Sequence, residues 1–253
     1  MLSNKNYFKI IQITDTHLFK EDTNLFGLNS NRNFSLVIDQ IMLSDISDAD
    51  AVFLIGDLSQ DETHTSYENL AKVVSSLNKP IYWIPGNHDS EEVMNLVFSS
   101  YENFNRVRRL ETPYWDFIFI NSKINNNDKG CISAEELMTL EYELNNNQSK
   151  NIALVMHHHP VEVGTPIVDE YILINRAELW DKLSKYNVNL IICGHVHGDY
   201  TVTYRNTTIE TSPATCLQWE KGATKIKIEE KIGYKTYFFR EKSYDFKTKI
   251  WCI

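Results

Sequence analysis

Eight residues bearing imidazole, carboxylate or carboxamide groups stand just past short apolar runs: Asp15, His17, Asp57, Asn87, His88, His157, His195 and His197. Imidazole and carboxylate donors together suit Zn, Mn, Fe or Co, and with no cysteine in the set a structural zinc knot is disfavoured. In Asp15-Thr16-His17 and His195-Val196-His197 the two donors lie two positions apart. On extended backbone that spacing turns both side chains the same way, and a loop at a strand end does likewise. The set is too large for one ion. Within Gly86-Asn87-His88-Asp89, a tight turn would use the glycine and at most the asparagine; it has no need of His88.

These groups need elements that bring them together. The runs FKIIQIT (8 to 14), AVFLIG (51 to 56) and IYWIPG (81 to 86) are short, apolar and rich in Ile, Val and aromatics, as buried strands are. DFIFINS (116 to 122), NIALVMH (151 to 157) and VNLIICGH (188 to 195) repeat the scheme. Between them, FSLVIDQIMLSDI (34 to 46), SYENLAKVVSSL (66 to 77), residues 134 to 145 and residues 176 to 186 read as helices, with apolar residues three and four apart. After residue 198 the pattern turns to strand-like segments, YTVTYRN, TTIETS, TKIKIEEK and KTYFFREK, with no helix between them. The expected fold class is α/β, a four-layer α/β/β/α sandwich of two mixed sheets flanked by helices. In such sheets ligands collect beyond the carboxyl ends of the strands, so five strand ends converge on one site. The asparagine-rich NNNDKG (125 to 130) reads as a solvated loop, and no linker divides residues 1–253, which are expected to form one domain.

Composition narrows the partners. The chain has 253 residues, 23% of them charged, and a formal net charge of −9. Nucleic-acid binders meet a polyanion with clustered Lys and Arg, so a general DNA or RNA binder is disfavoured. No run of 18 apolar residues is present and MLSNKNYFKIIQITD lacks a signal-peptide stretch, so no membrane partner and a cytoplasmic location are expected. Cys131, Cys193, Cys216 and Cys252 form no CxxC pair and read as reduced, structural thiols. His64 reads as a surface residue, and Arg106, Arg108 and Arg109 as a solvated basic turn.

Taken in order, DTH (15 to 17), GD (56 and 57), GNHD (86 to 89), the histidine opening HHHP (157 to 160) and GHVH (194 to 197) resemble the motifs of the calcineurin-like metallophosphoesterases. ITDTHLF, GDLSQD, IPGNHD, MHHHP, CGHVH and SPATC further resemble the bacterial class III 3′,5′-cyclic-AMP phosphodiesterase branch, and the resemblance spans nearly the whole chain. It implies two metal ions, commonly iron and manganese with zinc a further candidate, and a small cyclic nucleotide as substrate, hydrolysed to 5′-AMP by a metal-bridging hydroxide. By position, Asp15, His17, Asp57 and His197 would hold one ion, and Asp57, Asn87, His157 and His195 the other, with Asp57 giving one oxygen to each. His158 and His159 would lie beside the ligands. Such a cluster stays locally positive, so an acidic protein attracts a phosphodiester monoanion to it.

Under this resemblance Gly86 turns the chain, Asn87 gives a neutral oxygen to a metal and contacts substrate, and His88 meets the leaving group as catalytic acid. Many relatives read GDxxD after the first GD, their aspartate orienting that histidine; here position 60 is Gln and the acid falls at Asp61. Asp61 and Asp89 are the two candidates, and Asp89 reads equally as a cap for the helix suggested by SEEVMNLV. Residues 161–176, carrying Asp169 and Asn175 as substrate-binding candidates, and residues 18–32 would wall the pocket, with Trp219 as a further lining residue. The protein is expected to act as a monomer or homodimer. The alternatives are a phosphoesterase of the same fold acting on 2′,3′-cyclic nucleotides, nucleotide-linked lipid precursors or phosphomonoesters, and a non-catalytic scaffold. A scaffold is disfavoured because every ligand position is filled.

Overall fold

The computed structural model describes residues 5–146 and 151–253; residues 1–4 of the N-terminal stretch considered above lie outside them. Two six-stranded mixed sheets pack face to face with helices on their outer faces. From edge to edge, the first runs Tyr244–Cys252, Lys231–Phe239, Phe8–Ile13, Ala51–Ile55, Ile81–Ile84 and Phe104–Asn105; the last four strands are mutually parallel. The second runs Thr201–Tyr204, Thr207–Thr211, Val188–Cys193, Asn151–Met156, Trp115–Phe119 and Arg109–Glu111, parallel in its four central strands and antiparallel at both edges.

Period-two alternation sorts the side chains. In Ala51–Ile55, Phe53 and Ile55 enter the layer between the sheets with Phe117, Phe119, Val155 and Ile192. Val52 and Leu54 turn outward onto helices Ser30–Ser44, His64–Ser75 and Glu91–Phe98. Helices Ala134–Asn146 and Arg176–Leu183 cover the second sheet through Leu137, Leu140, Leu144, Leu179 and Leu183. Each such side chain, fully buried, contributes about 1.5 to 3 kcal/mol. Helix Ser30–Ser44 starts four residues earlier than apolar spacing alone predicts, because Asn29 caps it by accepting the Arg32 N–H. The expected strand TKIKIEEK shrinks to Ile228–Glu229, its lysines being exposed or nearly so, whereas Tyr244–Cys252 forms an edge strand beyond the segments expected from sequence.

Two polar contacts fix one sheet on the other near the donors. Gln12, fully buried, donates to Cys193 O at 2.8 Å and accepts from Tyr237 Oη at 3.0 Å. Lys235 is also fully buried, 2.9 Å from Glu210 and 2.6 Å from Asp199. A buried polar group left unpaired is costly, so a slip between the sheets is penalised twice. Among the described residues no helix is long and apolar enough to cross a membrane, and all four cysteines are free.

Candidate active site

The donors lie at the carboxyl ends of central strands of both sheets. Asp15 follows strand Phe8–Ile13, Asp57 follows Ala51–Ile55, Asn87 follows Ile81–Ile84, His157 follows Asn151–Met156 directly, and His195 follows Val188–Cys193. The backbone ties the ends together: Asp15 N donates to Gly56 O at 3.0 Å, His17 N to Asp57 O at 2.9 Å and Gly194 N to His157 O at 3.1 Å. Asp15, His17, Asp57, His195 and His197 all have positive φ, between 43° and 71°. Non-glycine residues held there are strained by about 1 to 3 kcal/mol each, and such strain concentrates where function requires it.

Two groups of donor atoms meet at one oxygen. In the first, His17 Nε2 lies 3.1 Å from His197 Nε2 and 3.7 Å from Asp57 Oδ2, and His197 Nε2 lies 3.5 Å from Asp15 Oδ1. In the second, Asn87 Oδ1 lies 3.2 Å from His157 Nε2 and 3.1 Å from His195 Nδ1, and His157 Nε2 lies 3.3 Å from Asp57 Oδ2. The expectation that Asp57 offers one oxygen to each side needs correction. Oδ2 faces both groups, and Oδ1 accepts the His88 backbone N–H at 2.8 Å.

Partners behind the rings decide which nitrogen faces inward. His157 Nδ1 is 2.8 Å from Ile55 O and His197 Nδ1 3.2 Å from Leu217 O. A carbonyl only accepts, so each Nδ1 carries the hydrogen and each Nε2 presents a lone pair. Removal from water pushes His17 down to about 4 and His195 and His197 well below the usual range, leaving uncharged donors. Burial raises Asp15 to about 7. Burial also disfavours charge on Asp57 and His157, but their mutual attraction wins, holding Asp57 well below the carboxylate range and lifting His157 to about 9. A cation held between them would take over that attraction, and ligation calls for the neutral imidazole.

These residues fit metal ions. Neighbouring donors of one ion at bond lengths near 2.1 Å are separated by about 3.0 to 3.4 Å, close to the 3.1 to 3.7 Å seen here. Trios of His, Asp and Cys groups overlap here with ligand atoms within 4.8 Å of one another. Cys216 belongs to one of them, yet its Sγ stands 3.6 Å from His197 Nδ1, on the side turned from the site, and burial keeps its thiol protonated.

The GNHD turn differs from expectation in three respects. Gly86 has no positive φ; its lack of a side chain matters because a Cβ would lie 2.2 Å from Asp57 Oδ1. Asp89 does not cap the following helix, whose N-cap is Ser90. Its Oδ1 accepts Leu58 N, Ser59 N and Tyr67 Oη, and its Oδ2 accepts Gly86 N, stapling the two loops together. Asp61 accepts from Lys20 N and Thr63. The side chain beside His88 is Gln60, whose Nε2 is 3.4 Å from His88 Nδ1 and whose Oε1 is 2.7 Å from His17 Nδ1. Its place in the GDxxD pattern was the one available signal.

A cavity of about 600 Å³ opens over the donors. His17, Asp57, Asn87 and His88 form part of its floor, and Phe26, Ile167, Tyr171, Trp219 and Ile226 give it an apolar wall. Phe26 sits at the tip of the hairpin Asn24–Leu25 and Leu28–Asn29, edge-on to Trp219 at 5.4 Å, and Trp219 stacks on His197 at 5.5 Å. Both predicted walls are present, but their two named contacts are not. Asp169 accepts the N–H groups of Val163, Gly164 and Thr165 and faces His159, and Asn175 pairs with both the N–H and the carbonyl of Ile132. Both brace the loop. His158 is buried against Ser122, His64 is exposed, and Arg106, Arg108 and Arg109 are engaged with Glu91, Glu136 and Asp116 away from the donors.

Residues 8–199 match the family model described as calcineurin-like phosphoesterase. A probable cyclic nucleotide phosphodiesterase of Coxiella burnetii is 35% identical over 94% of this chain and 95% of its own length. The 3′,5′-cyclic adenosine monophosphate phosphodiesterases CpdA of Vibrio vulnificus and Escherichia coli are 32% and 28% identical, over 85% and 87% of this chain and 79% and 81% of theirs. Among solved structures, the yellow lupin purple acid phosphatase PPD1 superposes with a TM-score of 0.66 at 14% identity, covering 96% of this chain and 51% of that one, a likeness of fold.

Proposed function

The chain belongs to the calcineurin-like phosphoesterase family, and from that membership we propose that it is a metal-dependent phosphodiesterase that hydrolyses 3′,5′-cyclic AMP to 5′-AMP. The observation that carries the reading is the single Asp57 oxygen facing two donor groups at the floor of a cavity that His88 also lines. The names of the Vibrio vulnificus and Escherichia coli relatives support the substrate.

Asp15, His17, Asp57 and His197 would hold one cation, and Asp57, Asn87, His157 and His195 the other. Two bound cations supply Lewis-acid polarisation of the phosphoryl oxygens and activation of water. In the hydrolysis, water oxygen bonds to phosphorus and the P–O3′ bond breaks, its electron pair leaving on O3′. His88, which lines the cavity, would protonate that oxygen, while its backbone N–H holds Asp57 Oδ1. Asn87 adds an oxygen without adding negative charge. Phe26 and Trp219 offer aromatic faces of the kind on which nucleobases stack, and Lys225 brings a positive charge to the cavity.

Iron and manganese as the native pair, with zinc as a substitute, follow from the same reading, as do one domain over residues 1–253, a cytoplasmic location and a monomer or homodimer. A site drawn from both sheets supports the single domain. The deciding experiment combines elemental analysis with hydrolysis of a panel: 3′,5′-cyclic AMP, 2′,3′-cyclic AMP, a phosphomonoester and a nitrophenyl phosphodiester. About two metals per chain, loss of activity on chelation and preference for 3′,5′-cyclic AMP are expected. Cleavage of the nitrophenyl ester with 3′,5′-cyclic AMP left intact would transfer the assignment to another ester.

A further inference from the structure

We propose that Lys123 is a positioning residue whose ammonium holds the peptide group between Asn87 and His88 in the orientation that keeps one Asp57 oxygen turned to both donor groups. The inference rests on reading those groups as metal sites. Lys123 lies past strand Trp115–Phe119, which runs parallel to Asn151–Met156 and so ends on the same side, yet that strand end supplies none of the eight donors. It supplies a cation instead.

One peptide group carries two charge-assisted hydrogen bonds. At one end the His88 N–H donates to Asp57 Oδ1 at 2.8 Å, and at the other the Asn87 carbonyl accepts from Lys123 Nζ at 2.9 Å. Both directions are fixed, since a backbone amide and an ammonium only donate. The N–H end of the peptide dipole thus faces a carboxylate and the carbonyl end an ammonium, and each bond polarises the other. Turning the peptide breaks both. Lys123 is itself held: its N–H donates to Asn121 Oδ1 at 3.0 Å, and Asn121 Nδ2 donates at 2.8 Å to Glu91, the first residue of helix Glu91–Phe98. It is half-buried, in the lining of a second, polar cavity of about 640 Å³ that Asn87 and His88 also border. The consequence falls on Asp57. While Oδ1 is committed to the amide, Oδ2 remains for the His17 and His157 groups, 3.7 Å and 3.3 Å away. Without the ammonium the peptide turns more freely, Oδ1 loses its donor, and the carboxylate can rotate Oδ1 into the site. The same turn shifts the backbone from which the Asn87 oxygen and the His88 ring project. Metal retention and kcat should therefore fall together.

The test compares wild type with Lys123→Met, which keeps the apolar stem and removes the donor, and with Lys123→Arg, which supplies a donor again. In metal-free protein labelled with ¹⁵N-histidine, one of eight backbone amide signals belongs to His88 and is assigned by its loss in His88→Ala. Its proton should lie downfield in wild type, move upfield in Lys123→Met and return in Lys123→Arg. The other histidine amides and Tm should stay near wild type. On titration with Mn²⁺, followed by calorimetry and elemental analysis, Lys123→Met should bind the more weakly held ion roughly 10- to 100-fold less tightly, as loss of an outer partner does. Its kcat for 3′,5′-cyclic AMP should fall to a similar degree with KM little changed, and Lys123→Arg should recover most of both. An unmoved His88 amide, or Mn²⁺ binding equal to wild type, would overturn the proposal. A raised KM with metal retained would overturn it by making Lys123 a substrate contact, and a lowered Tm with every histidine amide shifted would do so by making it a structural residue. Wild type that binds no Mn²⁺ would sink the metal reading itself, and this one with it.

Discussion

Asp57 divides its carboxylate between two tasks: Oδ1 accepts the backbone N–H of His88 at 2.8 Å, and Oδ2 stands 3.3 Å from His157 Nε2 and 3.7 Å from His17 Nε2. The residue that joins both donor groups therefore also sets the backbone of the proposed acid. Asp57→Ala is expected to lose metal and activity together, by more than the roughly 10- to 100-fold that loss of an outer partner costs. Metal counts by elemental analysis check this, and retention of both metals would refute it.

His88 has a different signature. His88→Ala should keep its metals and lose kcat by roughly 10²- to 10⁴-fold, as removal of a general acid does. Metal loss equal to that of Asp57→Ala would make His88 a ligand instead.

Gly86→Ala tests the packing under Asp57. The added Cβ would come within 2.2 Å of Asp57 Oδ1 and 2.3 Å of its backbone N. Overpacking costs about 1 to 3 kcal/mol, so a lower Tm and weaker metal retention are expected, measured by thermal unfolding and metal titration. An unchanged Tm with full metal content would show that the loops yield without cost.

The cavity wall carries a specificity prediction. Phe26→Ala and Trp219→Ala should raise KM for 3′,5′-cyclic AMP with little change in kcat, because base stacking on an aromatic side chain is worth about 1 to 3 kcal/mol. Asp169→Ala, which frees three loop N–H groups, should instead lower Tm. If Asp169→Ala raised KM alone, with Tm intact, the loop-bracing role would be wrong.

Acid stability has an identifiable contributor in Asp45. Burial opposes its charge, but hydrogen bonds from Lys249 and Tyr234 prevail and hold it at about 2. Its folded value lies below that of an unfolded aspartate, about 3.9. The stabilisation is therefore present above about pH 4 and is lost as pH falls toward 2. Asp45→Asn should lower Tm at neutral pH and flatten its acid decline in that window. A parallel decline in both proteins would assign the effect to other carboxylates.

The sequence by itself determined the strand ends and the donor types they carry. Apolar alternation is a local property, so Phe8–Ile13, Ala51–Ile55 and Val188–Cys193 were legible from contiguous residues, and Asp15, Asp57 and His195 follow each of them within two positions. Apolar spacing misses the first turn of helix Ser30–Ser44, which is polar and depends on a cap. Tertiary structure alone decided which oxygen of Asp57 faces the donors, that Asp89 joins two loops, that Gln60 reaches His88, and that Asp169 and Asn175 support a loop. The physical reason is range: Gln60 and His88 are 28 residues apart, His17 and His197 are 180 apart, and a hydrogen bond needs its partners within about 3 Å in a fixed direction. Residue type and spacing encode which groups are available, whereas the packing of one sheet on the other sets the distances that choose among them.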